Sequence, residues 1–175
     1  MKTTTPDLEL LEGAVTDPVL QALRATSEQL GRLGVRHWIV GGLAVAAHGY
    51  RRNTQDVDFL VGDEAFEHHA GGLITMKPGV PIQVNGVVVD HLSATSAENF
   101  LTRDLPPAGV TLKVAPIEVL TYLKLKSPRS KDRTDLIELI KTGADVARCR
   151  IWLQANAPQF VAALDDAERV AHTEE

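Results

Sequence analysis

The chain has 175 residues, 44% of them hydrophobic and 23% charged, which supplies apolar material for one globular core and excludes a solvated, disordered tract. A formal net charge of -5 excludes a global positive field that would gather nucleic acid or acidic membrane, so any polyanion must be met by a local basic patch. The single cysteine, Cys149, excludes an internal disulfide and a cysteine-based zinc site. No stretch approaches the ~20 apolar residues of a membrane span, and the expectation is a cytoplasmic protein.

Residues 1–16 carry Thr, Pro and Gly and read as a peripheral arm. Asp17 as N-cap and Pro18 at the first helical position then open a helix whose Leu20, Leu23, Leu30 and Leu33 share one face, and Gly34 ends it. "VRHWIV" is a short β-prone run that stops at Gly41 and Gly42. An Ala-rich helix starts near Leu43 and closes at Gly49.

"DVDFLV" reads as the second strand, and "DEAFEHHAGG" as a short helix terminated by Gly71 and Gly72. "PIQVNGVVVDHLSA" forms a β-ribbon about a tight Asn85-Gly86 turn, and "GVTLKVAP" gives one more strand. Pro116 opens a helix at its first position; Ser130 caps the next, which Gly143 ends; Asp145 caps a third, and a final amphipathic helix runs into an acidic tail. The order is α+β: residues 1–115 form a core of mixed sheet with an N-terminal helix, and residues 116–175 form a C-terminal helical part packed on it.

The chemistry concentrates in "VGGLAVAAHGYRRNTQDVDFLV". Side chains alternate along a strand, so Asp56 and Asp58 project to one side with Cα atoms about 6–7 Å apart. Two carboxylates there repel and lose solvation unless a cation neutralises them. Mg²⁺ suits them, because it takes hard carboxylate oxygens while keeping waters and substrate phosphates as its other ligands. Asp90 in "VVVDHL" is a candidate third acid if its strand pairs beside Asp56–Phe59. Gly41 and Gly42, between a strand and a helix, let the backbone approach a phosphate.

The diglycine, thirteen residues, and then Asp56-Val57-Asp58 resemble the metal-binding pattern of the nucleotidyltransferase superfamily, which includes DNA polymerase beta and the aminoglycoside nucleotidyltransferases. With Arg52, Thr54, Asp56 and Asp58 at alternate positions, the stretch looks most like the bacterial minimal branch around the AbiEii abortive-infection toxins. The resemblance covers about residues 36–141. It implies a nucleotidyltransferase-like mixed sheet flanked by helices, with Asp56, Asp58 and Asp90 holding one or two Mg²⁺ ions and Asp90 activating the acceptor hydroxyl. It further implies Gly41 and Gly42 at the triphosphate and Arg52 and Thr54 beside the phosphates. Lys124 or Lys126, with Arg129, Lys131 and Asp132 of "LKLKSPRSKDRTDLIEL", would approach the nucleotide.

The activity so implied is transfer of a nucleoside monophosphate from an NTP to an acceptor hydroxyl on a tRNA end, a protein or a small molecule such as an aminoglycoside, with a cognate antitoxin or self-association as possible partnerships. The rival is a non-catalytic nucleotide-binding module or toxin–antitoxin partner on the same fold. Plainer readings stand beside each residue: a tight turn for the diglycine, loop charges for Arg51 and Arg52, and a salt-bridged helix face for Lys124, Lys126, Arg129, Lys131 and Arg133. His68 and His69 point about 100° apart on a helix and read as surface residues, and His48 reads as a core residue.

Overall fold

The computed structural model describes residues 6–66, 81–109 and 112–173. Helix α1 (Asp17–Arg32) is followed by strand β1 (His37–Val40), helix α2 (Gly41–Ala47) and strand β2 (Val57–Val61). Strands β3 (Ile82–Val84) and β4 (Val87–Leu92) form the predicted hairpin, and helices α3 (Ile117–Lys126), α4 (Ser130–Lys141), α5 (Val146–Asn156) and α6 (Val161–Thr173) complete the chain. The sheet order is β1-β2-β4-β3, with β1 and β3 antiparallel to their neighbours and β2 parallel to β4. The fold is α+β, a mixed four-stranded sheet flanked by helices and followed by C-terminal helices.

Strand alternation divides the core in two. Ile39, Val57, Phe59, Val61, Val87 and Val89 face α1 and one side of α2, while Trp38, Val40 and Leu60 face α3–α6. Each fully buried leucine or phenylalanine contributes about 1.5–3 kcal/mol relative to exposure. Helix α2 stands at the seam, sending Leu43, Ala46 and Ala47 into one cluster and Ala44 and Val45 into the other. Its small residues let it sit this close to the sheet. Asn85 (φ 51) and Gly86 (φ 79) take the two positive dihedrals that a tight hairpin turn needs.

The structure departs from the sequence expectations at several places. Residues 8–11 are a 3-10 turn that packs on α2, and Leu11 and Val15 are buried, because two apolar side chains suffice to fasten the arm. Thr16, Pro116 and Arg129 occupy the N-cap positions expected of Asp17, the residue before Pro116, and Ser130, without a side-chain capping bond; Asp17 and Ser130 are the first helical residues. Of the strand expected after Gly109, residues 110–111 lie outside the described residues, and among the described ones it is a single bridge between Val114 and Ile39, held by Ile39 N donating to Lys113 O (2.7 Å) and Ala115 N donating to Ile39 O (2.9 Å). Pro116 has no N–H with which to extend it. The run after Gly62 is a 3-10 turn over Asp63–Phe66; the rest of that expected helix, with His68, His69, Gly71 and Gly72, lies outside the described residues. A further 3-10 segment runs over Ser96–Leu101, where the sequence reading assigns no element.

Candidate functional site

Parallel pairing of β2 with β4 sets Asp58 directly opposite Asp90. Both lie on the sheet face that carries Leu60 and looks toward α3–α6, as the period of two requires. Asp56 precedes β2 by one residue and is exposed. The three acids line one small cleft of about 130 Å³ together with Gly41, Gly42, Arg52, Thr54, Lys124, Arg129 and Lys131. Residues drawn from five stretches of sequence thus meet at one place.

Asp58 registers the crowding. Burial, then Asp90, then Asp56 raise its pKa from 3.8 to about 6, and Lys124 and Arg129 offset this only in part. Four carboxylates (Asp56, Asp58, Asp90 and Asp132) and four cations (Arg52, Lys124, Arg129 and Lys131) line the cleft, so what raises Asp58 is first its burial and then its two neighbouring acids. The two glycines answer to these side chains: a Cβ at Gly41, where φ is +63°, would stand 1.9 Å from Asp58 Oδ2, and one at Gly42 would stand 2.3 Å from Thr54 Oγ1. The diglycine makes room for the acid and the threonine, which a tight turn alone would not require.

The basic residues are arranged as a network. Lys124, 6% exposed, donates to Asp132 Oδ1 (2.5 Å) and Asp135 Oδ2 (2.7 Å). Arg52 pairs with Asp135 (2.8 Å), and Arg129 Nε and Ser127 Oγ both donate to Asp132 Oδ2 (2.7 and 2.6 Å). Burial would raise the Asp132 carboxyl, but Lys124, Ser127 and Arg129 together hold it below the usual range. Lys124 is thus neither a solvated lysine nor a free one. Arg133 pairs instead with Asp166 on α6, and His48 is buried, its Nε2 on Ala115 O (2.9 Å), as expected of a core histidine. His91, one residue past Asp90, falls on the opposite sheet face, 3% exposed and stacked on Phe59.

A larger, mostly apolar lobe of about 330 Å³ adjoins the acid lobe and shares Gly41, Asp58, Lys124, Arg129 and Asp132 with it. Its walls are Leu60, Leu92, Leu101, Leu120 and Leu123, and its rim carries Glu98 and Lys126. Glu98 carries no motif signal in the sequence; only the Thr95-x-x-Glu98 spacing, a capping box, could have drawn attention to it.

Divalent-cation fit is a matter of donor chemistry here. Among the described residues no group of three or more His, Cys, Asp or Glu is arranged to hold a metal ion. Mg²⁺ does not need such a cage, because one or two carboxylates plus waters and phosphates satisfy it. The Asp58–Asp90 pair, set directly opposite on paired strands, matches that habit. Among the described residues no helix is long and apolar enough to cross a membrane.

No protein-family model matches the chain, and the search of curated proteins returns no match. Among solved structures the chain is similar to an antigenic nucleotidyltransferase-like protein from Paracoccidioides brasiliensis, at 15% identity and a TM-score of 0.45 over 86% of this chain and 93% of that one. A likeness so distant assigns no chemistry to these residues.

Proposed function

We propose that the chain is a nucleotidyltransferase that moves a nucleoside monophosphate from an NTP to an acceptor hydroxyl. The observation that supports it is the meeting of Asp56, Asp58 and Asp90 with Arg52, Lys124, Arg129 and Lys131 around the diglycine in one cleft. Acids alone would suit a cation and bases alone a phosphate; a nucleotide triphosphate entering with a divalent cation needs both within one cleft.

In this reading Asp58 and Asp90 would hold Mg²⁺, and Asp56, at the open side, would help to hold a second ion. When bound, Mg²⁺ supplies positive charge to the triphosphate and to the leaving pyrophosphate. Lys131 and Arg129, both exposed, meet phosphate oxygens, and Lys124 and Arg52 brace the cleft floor through Asp132 and Asp135. The acceptor oxygen forms a bond to the α-phosphorus, the bond from that phosphorus to the bridging oxygen breaks, and pyrophosphate departs. The hydroxyl proton passes to Asp90. Positioning and electrostatics carry most of such a reaction.

The acceptor, whether a tRNA end, a protein hydroxyl or a small molecule, and a role as a toxin with a cognate antitoxin or a self-associating partner, are carried by the sequence resemblance. A cytoplasmic setting, where NTPs are plentiful, goes with them. One observation favours the second reading, a nucleotide-binding module without transfer: three of the basic groups are already paired to Asp132 and Asp135.

Incubation of the chain with Mg²⁺, each α-labelled NTP and the three acceptor classes separates the two. Transfer of label to one acceptor, reduced by about a hundredfold or more in Asp58→Ala and Asp90→Ala, supports the enzyme. NTP binding that depends on Asp58 with no transfer to any acceptor supports the module.

A further inference from the structure

Tyr122 and Lys126 stand four residues apart on α3, so both side chains reach the same side of the helix. Facing them from the Ser96–Leu101 segment is Glu98, 6% exposed. Its Oε1 accepts from Tyr122 Oη (2.6 Å) and from Lys126 Nζ, and its Oε2 accepts from Thr95 N (3.1 Å) and Thr95 Oγ1 (2.8 Å). Burial works against this charge, yet the bonds from Lys126, Tyr122 and Thr95 hold its pKa down to about 2, so it is a carboxylate at every working pH.

The anchor is rigid. The Tyr122 ring is set edge-on against Phe100, Trp152 and Phe160, with centroids 5.3, 6.2 and 5.5 Å away. A carboxylate has about four acceptor sites, and all four of Glu98's are taken. Glu98 therefore has nothing left for a ligand. Lys126 does: an ammonium has three donors, Glu98 uses one, and the side chain is 49% exposed on the rim of the leucine-lined lobe. A lysine on a helix end ordinarily swings through solvent; here a buried charge holds its head at the mouth of an apolar slot.

That slot continues into the acid lobe through Asp58, Lys124 and Arg129, and its volume is that of a small-ligand pocket. Resting on the nucleotide reading above, we propose that Lys126 reads the nucleobase in the apolar lobe, favouring a base with a carbonyl at its outer edge, guanine or uracil, and that Glu98 is the positioning residue that aims it. An ammonium only donates. The O6 of guanine or O4 of uracil accepts from it, whereas the amino group at the same place in adenine or cytosine presents a second donor and leaves both unpaired.

The test is calorimetric titration of the whole chain with GTP, UTP, ATP and CTP in Mg²⁺, for the wild type and for Lys126→Met, Lys126→Arg, Glu98→Gln and Asp58→Asn. The expected result is a preference of about tenfold or more for the two carbonyl-bearing bases. Lys126→Met brings the four affinities within about threefold of each other, Lys126→Arg keeps the order, and Glu98→Gln narrows the ratio though Lys126 remains. A ratio is read because a general loss of folding would weaken all four nucleotides alike. Lys126 is half exposed, so its variants test the idea even if Glu98→Gln unfolds. Binding that falls in Asp58→Asn but shows no base preference, or a preference that survives Lys126→Met, overturns this inference alone. No binding of any NTP by the wild type overturns the nucleotide reading with it.

Discussion

Replacing Asp58 by asparagine stabilises the folded chain, and increasingly so as pH rises from about 4 to 7. The carboxyl has a pKa of about 6 in the folded protein against 3.8 ordinarily, because burial and the neighbouring Asp90 and Asp56 disfavour its charge. Below pH 3.8 it is protonated folded and unfolded, and the variant gains nothing. Between 3.8 and 6 the unfolded chain ionises while the folded one does not, so the wild type loses stability; above 6 the loss is complete. A difference of about 2 pH units at 1.36 kcal/mol each is about 3 kcal/mol, and the partial solvent contact that Asp58 retains reduces this to about 2 kcal/mol. For a chain of this size that is a Tm gain of about 4–8 °C at pH 7.5 and about 1–2 °C at pH 4. Thermal melts across that range, with and without Mg²⁺, read it directly. Mg²⁺ raises the wild-type Tm above pH 6 and raises that of Asp58→Asn less. A gain that is equal at pH 4 and pH 7.5, or no gain at all, would mean that burial and the neighbouring Asp90 and Asp56 do not disfavour the Asp58 charge, and the cation argument would go with it.

Gly41→Ala and Gly34→Ala form a matched pair. Both positions have positive φ (63° and 72°) and so both carry a strain of about 1–2 kcal/mol, but only at Gly41 does the new Cβ meet Asp58. A larger loss of stability in Gly41→Ala than in Gly34→Ala, with nucleotide binding lost only in Gly41→Ala, is the expected outcome; equal losses, or binding lost in both or in neither, would refute the packing role. Lys124→Met leaves Asp132 and Asp135 buried with Arg52, Arg129 and the Ser127 hydroxyl as their remaining partners, at a cost of about 3 kcal/mol in urea unfolding. Tyr122→Phe removes a bond to a charged, buried Glu98 and costs about 1.5–3 kcal/mol in the same measurement, while a cost near zero would show that Thr95 and Lys126 hold Glu98 without it.

The site was legible where its chemistry is local. The Asp56-x-Asp58 spacing, the diglycine and the Asn85-Gly86 turn are each written within a few residues, and period-two alternation already implied that Asp58 and Asp90 would face away from Phe59 and Val89. Helix ends were legible only to within a residue. Thr16 displaces Asp17 as cap because the acidic residue is as well placed in the first turn, beside the positive end of the helix.

The sequence by itself determined the α+β class, the order of its main elements and the residue types of the candidate site, since composition and periodicity act over one or two turns. Only the tertiary structure decided who meets whom. Arg52 finds Asp135 across 83 positions, Lys124 proves to be a buried strut and not a free cation, and Glu98 becomes the anchor of Lys126. Burial of a charge depends on every element packed around it, and that sum is not written in any one stretch of the chain.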